Sequence, residues 1–151
     1  MTGFARKLRT VTFAALALSA QAAWATDALQ VLKSPTCGCC TAWSQHMREA
    51  GFVVTEVNMS QPDLDAAKVA AGLKPGLTSC HTARIDGYVV EGHVPAREVR
   101  RLLAERPDAL GLSVPDMPYG SPGMGDPVDA EPYDVLLVKS DGSTEVFASY
   151  R

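Results

Sequence analysis

Three of the four cysteines of this 151-residue chain lie within four positions, in the stretch SPTCGCCTAW at residues 34–43. Cys37 and Cys40 have the C-x-x-C spacing of a dithiol. The residues before them, 29–34, predict a short strand, and those after them, 41–51, predict a helix. A helix N-terminus lowers the pKa of a thiol there, because its free N–H groups favour the thiolate. This effect serves a redox dithiol and a metal site equally, so the spacing leaves both open.

The pattern that follows the cysteines predicts a small α/β sheet. Residues 52–59 alternate and are rich in β-branched side chains, as in a strand, and residues 63–73 predict a helix. Residues 81–94 predict two strands joined by a turn at Asp86-Gly87, and residues 95–107 predict a third helix. This order of elements predicts a thioredoxin-like small mixed sheet with flanking helices.

The C-terminal part of the chain has a different composition. Residues 110–133 are full of Gly and Pro with irregularly spaced apolar residues, and they predict a long loop without a regular element. This Gly/Pro/Met loop carries Met117 and Met124. Residues 134–150 then predict a hairpin that turns near residues 140–143.

The first 25 residues predict a secretory signal peptide. Basic residues at the start precede an uncharged apolar stretch at residues 11–23, and Ala23-Trp24-Ala25 offers small residues at a cleavage site. The stretch is short for a membrane span, although a retained N-terminal anchor is the alternative. We therefore expect a signal peptide at residues 1–25, a mature domain at residues 26–151, and a periplasmic location without membrane attachment after cleavage.

The charge of the mature chain excludes some classes of function. Cleavage would remove three of the 14 basic residues and none of the 17 acidic ones, which leaves 11 against 17 and a net charge near −6. An acidic chain without a basic cluster is a poor nucleic-acid binder. The apolar content, at 46%, is too high for a disordered chain.

The third neighbouring thiol favours a metal site over a simple redox pair. Cys39 would offer wrong partners to a Cys37–Cys40 dithiol, whereas adjacent thiolates are suited to bridging several metal ions. Cys80 supplies a fourth sulfur from a loop that, in a thioredoxin-like sheet, lies near the N-terminus of the first helix. Cys37, Cys39, Cys40 and Cys80 are therefore the predicted metal ligands.

The donor set and the compartment together favour copper. Soft sulfur ligands select Cu(I), zinc or iron–sulfur clusters. A structural zinc site usually has two well-spaced cysteine pairs, and this chain has one crowded pair. An iron–sulfur cluster is usually assembled before export, whereas a general secretory signal threads an unfolded chain. Copper is the metal that remains, and the bridging thiolates lead us to expect Cu(I) in a multinuclear cluster.

Two alternatives stay open at this point. A thiol–disulfide oxidoreductase would use Cys37 and Cys40 and would need neither of the other cysteines. Structural disulfides, for instance Cys37–Cys40 with Cys39–Cys80, also occur in secreted chains, although a domain of this size hardly needs them. The sequence by itself assigns no enzymatic activity.

Several motifs of the chain resemble those of the CopG-like periplasmic copper-resistance proteins. They are SPTCGCCTAWSQHMREAGF, SCHT, GHVPA and MPYGSPGM, and the resemblance runs from about Leu29 to the C-terminus. It implies a thioredoxin-like fold, a cysteine-bound copper cluster and a role in copper redox handling. It also implies that the four cysteines named above are the ligands.

Further candidate ligands surround this motif set. His81 follows Cys80 directly, but neighbours on a strand point to opposite faces, so His81 is expected to face away from the site. His93 lies just before a predicted helix and is a candidate ligand or hydrogen-bond partner of a thiolate. Met117 and Met124 carry thioethers, which bind Cu(I) and survive oxidising conditions, and their loop is a candidate lid.

The predicted function is that of an exported copper-binding protein. Its task would be copper resistance through sequestration, transfer or redox handling of Cu(I). The expected partners are the metal ion and other periplasmic copper-handling proteins. Of the residues in the first helix, Trp43 and Met47 are expected to belong to the core rather than to contact a cofactor, and His46 is expected to be a surface or packing residue.

Overall fold

The computed structural model describes residues 28–151, so the predicted signal peptide and its cleavage site lie outside the described residues. Within this range the chain forms three α-helices, seven strands and a short 3-10 turn. In chain order they are β1 (Ala28–Lys33), α1 (Gly38–Glu49), β2 (Val53–Asn58), α2 (Gln61–Ala70), β3 (Thr82–Ile85), β4 (Tyr88–Glu91), α3 (Ala96–Glu105), β5 (Gly111–Ser113), the 3-10 turn (Pro127–Asp129), β6 (Tyr133–Val138) and β7 (Thr144–Tyr150). Among the helices of residues 28–151, none is long and apolar enough to cross a membrane.

The strands form one mixed sheet in the order β2-β1-β3-β4-β5-β6-β7. Parallel pairs join β1 to β2 and β4 to β5, and the remaining neighbours are antiparallel. The predicted mixed α/β fold is therefore confirmed, as is the C-terminal hairpin formed by β6 and β7. The register that matters for the site is the pairing of Leu32 with Thr82, because it places the end of β1 beside the start of β3.

The two faces of the sheet are covered differently. Helices α1 and α3 cover one face, where Trp43, Met47, Val99 and Leu102 are fully buried in the main apolar core. The expectation that Trp43 and Met47 belong to the core is therefore confirmed. Helix α2 lies on the other face, where its Lys68 reaches polar residues of β3 and β4.

One sequence prediction for the C-terminal part is wrong. The Gly/Pro segment at residues 110–133 contains strand β5 and the 3-10 turn, whereas the sequence predicted a loop without regular elements. Strand β5 has only three residues and all of them are buried, so it shows neither the length nor the alternation that marks a strand in sequence. Its pairing with β4 and β6, rather than its own residues, makes it a strand.

Candidate metal centre

The first three cysteines lie in the opening turn of α1. Cys37 is the N-cap of the helix, and its Sγ accepts a hydrogen bond from the Cys40 backbone N–H at 3.3 Å. Cys40 is fully buried, whereas Cys37 and Cys39 are half-buried. The structure joins Cys37 and Cys40 in a disulfide with a Cα–Cα distance of 5.4 Å, and Cys39 is a free thiol.

Cys80 approaches this turn from the loop that precedes β3. Its Sγ lies 3.6 Å from the Cys39 Sγ, and the Cys37 Sγ lies 3.5 Å from the Cys39 Sγ. All four sulfur atoms fall within 4.8 Å of one another. The antiparallel pairing of β1 with β3 explains this convergence. The cysteine turn follows the end of β1, the Cys80 loop precedes the start of β3, and the pairing places these two strand ends side by side. The structure thus brings together the four predicted ligands, and their binding of metal stays a prediction.

The free thiol of Cys80 has a strongly raised pKa. Burial is the largest cause, and the nearby Cys39 adds to it, which together raise the pKa of Cys80 to about 12. The Cys80 thiol is therefore held in the protonated form. A bound cation would favour its thiolate, so metal binding at Cys80 would release a proton.

His81 faces the sulfur group, which corrects the expectation that it would face away. Its Nδ1 lies 3.3 Å from the Cys80 Sγ, and its ring packs on Trp43 with the centroids 4.5 Å apart. Side chains alternate between faces only along a strand, and β3 begins at Thr82. Cys80 and His81 therefore precede the strand, and both can point to the same side.

His93 is the second histidine of the site. Its Nε2 lies 3.1 Å from the Cys80 Sγ, and its Nδ1 lies 2.8 Å from the carbonyl oxygen of Pro122. Cys80, His81 and His93 form a second group whose possible ligand atoms lie within 4.8 Å of one another. Sequence reasoning had named His93, but no sequence signal reveals the backbone carbonyl of Pro122 as its partner.

The hydrogen bonds distinguish the two imidazoles. The Pro122 carbonyl can only accept, so His93 carries its proton on Nδ1 and presents the lone pair of Nε2 to the sulfur group. His81 has no such support, because its Nε2 is buried without a hydrogen-bond partner. Burial lowers the pKa of both histidines, so both are neutral near pH 7. His93 is therefore the better prepared nitrogen donor.

The Gly/Pro/Met loop runs against the cysteine turn. A Cβ on Gly123 would lie 2.7 Å from the Trp43 backbone nitrogen and 2.9 Å from the Cys39 carbonyl oxygen, so only glycine allows this approach. Met124 follows directly and is half-buried, whereas Met117 is 49% exposed. The loop is thus in the place that a lid requires, and the role of either thioether stays a prediction.

His46 has a structural contact instead of a place among the sulfur atoms. Its Nε2 accepts a hydrogen bond from the Ala96 backbone N–H at 3.2 Å, at the start of α3. Burial lowers the pKa of His46, with an opposing contribution from Glu49. This contact fits the expectation of a packing residue.

Solved structures of a copper resistance protein are similar to this chain in both sequence and fold. The chain is similar to two solved structures of a copper resistance protein, CopG, in two forms. The first form is 41% identical to this chain and has a TM-score of 0.76, and the match covers 82% of this chain and 96% of the chain of that structure. The second form is 40% identical to this chain and has a TM-score of 0.77, and the match covers 83% of this chain and 98% of the chain of that structure.

The chain belongs to the CopG family of copper resistance proteins. The resemblance noted in the sequence motifs is therefore confirmed. A family model described as a protein of unknown function, DUF411, matches residues 77–124, which include Cys80, His81 and His93 but not the C-x-C-C turn. No curated protein sequence matches the chain significantly. Family membership and the clustered cysteines together support a copper-related function.

Proposed function

We propose that this chain is an exported protein that binds Cu(I) through the thiolates of Cys37, Cys39, Cys40 and Cys80. The convergence of their four sulfur atoms within 4.8 Å of one another is the observation that carries the proposal. Soft sulfur donors prefer Cu(I), and four of them at one point are rarely explained by packing. The solved relatives, which are copper resistance proteins, support copper over zinc.

Loading the full site requires reduction of the Cys37–Cys40 disulfide. A dithiol reductant would supply the two electrons and two protons that convert that bond into two thiols, becoming a disulfide itself, and each Cu(I) that binds would then displace thiol protons. The Cys39 Sγ lies 3.5 Å from Cys37 Sγ and 3.6 Å from Cys80 Sγ, so it occupies the middle of the group. A central thiolate with neighbours on both sides suits bridging, which supports a multinuclear cluster.

His93 completes the proposed donor set. Its hydrogen bond to the Pro122 carbonyl fixes the tautomer whose Nε2 is free to bind a metal, and such outer contacts orient metal-binding imidazoles in many proteins. His81 then serves as a buried neighbour of Cys80, and Met117 and Met124 are candidate thioether donors from the covering loop.

The compartment and the physiological role extend this proposal. A signal peptide at residues 1–25 and a mature periplasmic domain at residues 26–151 would place the site where bacteria meet external copper. Sequestration of Cu(I), its transfer to other copper-handling proteins, or its interconversion with Cu(II) would each contribute to resistance. Cys37, Cys39 and Cys80 are only half-buried, and a partly accessible site is better suited to exchange with a partner than to permanent storage.

Anaerobic titration of the reduced mature chain with Cu(I), followed by competition with a chelator and elemental analysis, tests the proposal. We expect more than one copper ion per chain and retention against a modest competitor. Cys39→Ser should lower the copper-to-protein ratio as well as the affinity, because it removes the central sulfur. An unchanged ratio in Cys39→Ser would reject the cluster, and loss of all copper from the native chain would reject the function.

A thiol–disulfide oxidoreductase is the second candidate, and the Cys37–Cys40 disulfide at a helix N-terminus favours it. In that reaction a substrate dithiol would attack the disulfide through a mixed disulfide, so that the substrate is oxidised and Cys37 and Cys40 are reduced. This function needs no metal and should survive in Cys39→Ser/Cys80→Ser. Oxidation of a model dithiol by that double variant, in the presence of a chelator, would support it over copper binding.

A further inference from the structure

A buried cluster of polar residues lies directly beneath the loop that carries Cys80. Glu91 of β4 is fully buried, and its carboxylate accepts hydrogen bonds from the Lys68 ammonium of α2 and from the Thr82 hydroxyl of β3. Lys68 is 4% exposed and also donates to the Thr82 Oγ1 at 2.9 Å. None of these residues is a candidate ligand in the site described above.

This ion pair is poorly explained as a source of stability. Removing two charges from water is costly, and well-packed apolar residues often replace a buried pair with little loss. Burial raises the pKa of the Glu91 carboxyl, and the donors around it oppose that rise. A buried carboxylate with several donors is therefore held in one orientation, which makes it suitable as a fixed acceptor.

The remaining donor to Glu91 comes from the cysteine loop. The backbone N–H of Ser79 donates to the Glu91 Oε1 at 2.7 Å. Ser79 immediately precedes Cys80 and lies outside the strands, so no sheet ladder holds its amide. A second hydrogen bond, from the Ser79 hydroxyl to the carbonyl of Asp116, ties the same residue to the Gly/Pro/Met loop.

The space around Ser79 leaves the loop little freedom once this bond is made. Gly92, which follows Glu91 and β4, is so close that a Cβ there would lie 2.6 Å from the Ser79 Cβ. The Gly92 backbone N–H also donates to the His81 carbonyl at 3.1 Å. Contacts therefore hold the backbone on both sides of Cys80, and on the Ser79 side the hydrogen bond made by the backbone amide depends on Glu91.

We propose that Glu91 is a positioning residue for Cys80. By accepting the hydrogen bond from the Ser79 amide, Glu91 places the Cys80 thiol opposite Cys39. Lys68 and Thr82 act by fixing the Glu91 carboxylate. The consequence for copper retention rests on the function proposed above, whereas the placement of the Cys80 thiol does not.

Two matched variants isolate this one hydrogen bond. Lys68→Met/Glu91→Gln removes both charges but keeps an amide oxygen that accepts from the Ser79 N–H. Lys68→Met/Glu91→Met removes the same charges and the acceptor, with a side chain of similar length. Both are made in a Cys37→Ser/Cys40→Ala background, so that Cys39 and Cys80 are the only thiols. Serine keeps the helix N-cap in that background.

The rate at which diamide converts Cys39 and Cys80 into a disulfide, without metal, reports their proximity. We expect the Gln variant to react as fast as its background, and the Met variant to react about tenfold more slowly, as loss of one buried hydrogen bond predicts. Equal rates in the two variants would overturn the proposal.

A further measurement applies even if the Met variant fails to fold. In the native mature chain, amide hydrogen exchange should show the Ser79 N–H protected although it lies in a loop, and exchange at the rate of an exposed amide would overturn the proposal. Copper retention is measured last, on the same variants with Cys37 and Cys40 restored. If none of them, nor the native chain, retains copper while the thiol rates differ, the proposed function fails and the positioning role stands.

Discussion

Helix α1 carries Cys37, Cys39 and Cys40 on one turn, whereas Cys80 stands alone in an irregular loop on the other side of the candidate site. The helix side is held by local contacts, such as the hydrogen bond from the Cys40 N–H to the Cys37 Sγ. The loop side is held by residues distant in sequence, among them Glu91 and Asp116. Neighbouring positions therefore set one half of the site, and the rest of the fold sets the other half. Substitutions in the two halves should have different consequences.

Comparison of one cysteine from each side should give the largest effect. We expect Cys80→Ser to weaken Cu(I) retention by more than about 100-fold, which exceeds the usual effect of losing an outer-shell partner. Cys37→Ser should cost less, because serine still caps α1 and Cys39 and Cys40 still supply sulfur from the helix side, whereas Cys80→Ser removes the one cysteine of the loop side. Competition with a Cu(I) chelator measures both. Equal losses would show that the two sides contribute alike.

Substitutions of His93 and His81 test the loop side of the site separately from the helix side. We expect His93→Gln to weaken copper retention by about 10- to 100-fold, since His93 has the outer contact that prepares an imidazole for metal binding. His81→Gln should weaken it less, because the Nε2 of His81 has no acceptor. Urea unfolding of both variants controls for stability. A larger copper defect in His81→Gln would contradict the assignment.

Gly123 tests the contact between the covering loop and the helix side. Gly123 and Gly76 both have positive φ values, +87° and +86°, but only Gly123 would place a Cβ against other atoms of the fold. Gly76→Ala should lower the free energy of unfolding by about 1–2 kcal/mol through backbone strain alone. Gly123→Ala should lower it by about 1–3 kcal/mol more, through steric overlap with α1. Chemical denaturation checks both, and equal losses would mean that the loop does not press on the helix.

His46 links α1 to α3 and should give the smallest effect. The pKa of His46 is lowered from the usual 6.5. As the pH falls below about 6.5, the His46 imidazole is therefore protonated in the unfolded chain before it is protonated in the folded one. Its hydrogen bond with Ala96 is therefore present above that pH and is lost as the pH falls. His46→Gln keeps an acceptor that does not titrate. We expect it to match the native chain at pH 8 and to exceed it by up to about 1 kcal/mol at pH 5.

Unfolding at both pH values measures this difference. The comparison cancels the carboxylates and the other two histidines, which titrate alike in both proteins. A constant difference between pH 8 and pH 5 would exclude protonation of His46 as the cause.

The local half of the structure was predictable from the sequence, and the non-local half was less so. Alternation predicted β2, and the residue patterns at 41–51 and 63–73 predicted α1 and α2, because those signals are contained in each segment. The convergence of Cys80 on the helix turn needed only the assumed sheet order, which places the end of β1 beside β3. His81 was misjudged because its orientation depends on where β3 begins, and sequence locates such boundaries poorly.

Other features had no local signal at all. Strand β5 exists because β4 and β6 pair with it, and the partner of His93 is a backbone carbonyl 29 positions away. The role of Glu91 beneath the loop also depends on a tertiary contact, since nothing in the sequence YVVEG distinguishes it from a surface carboxylate. In physical terms, these features follow from packing between distant segments.

The parallel pairing of β4 with β5 bears on any attempt to shorten this protein. The segment from β1 to α3 resembles a complete small unit, but β4 is an interior strand, and its outer edge is covered only by the C-terminal region. A chain that stopped at residue 106 would leave that edge bare, with the apolar Val89 and Val90 on it, and unprotected edges of this kind recruit other chains. Such a truncated protein should aggregate even with every cysteine in place, so a shortened version made to test the proposed copper site should extend through β7.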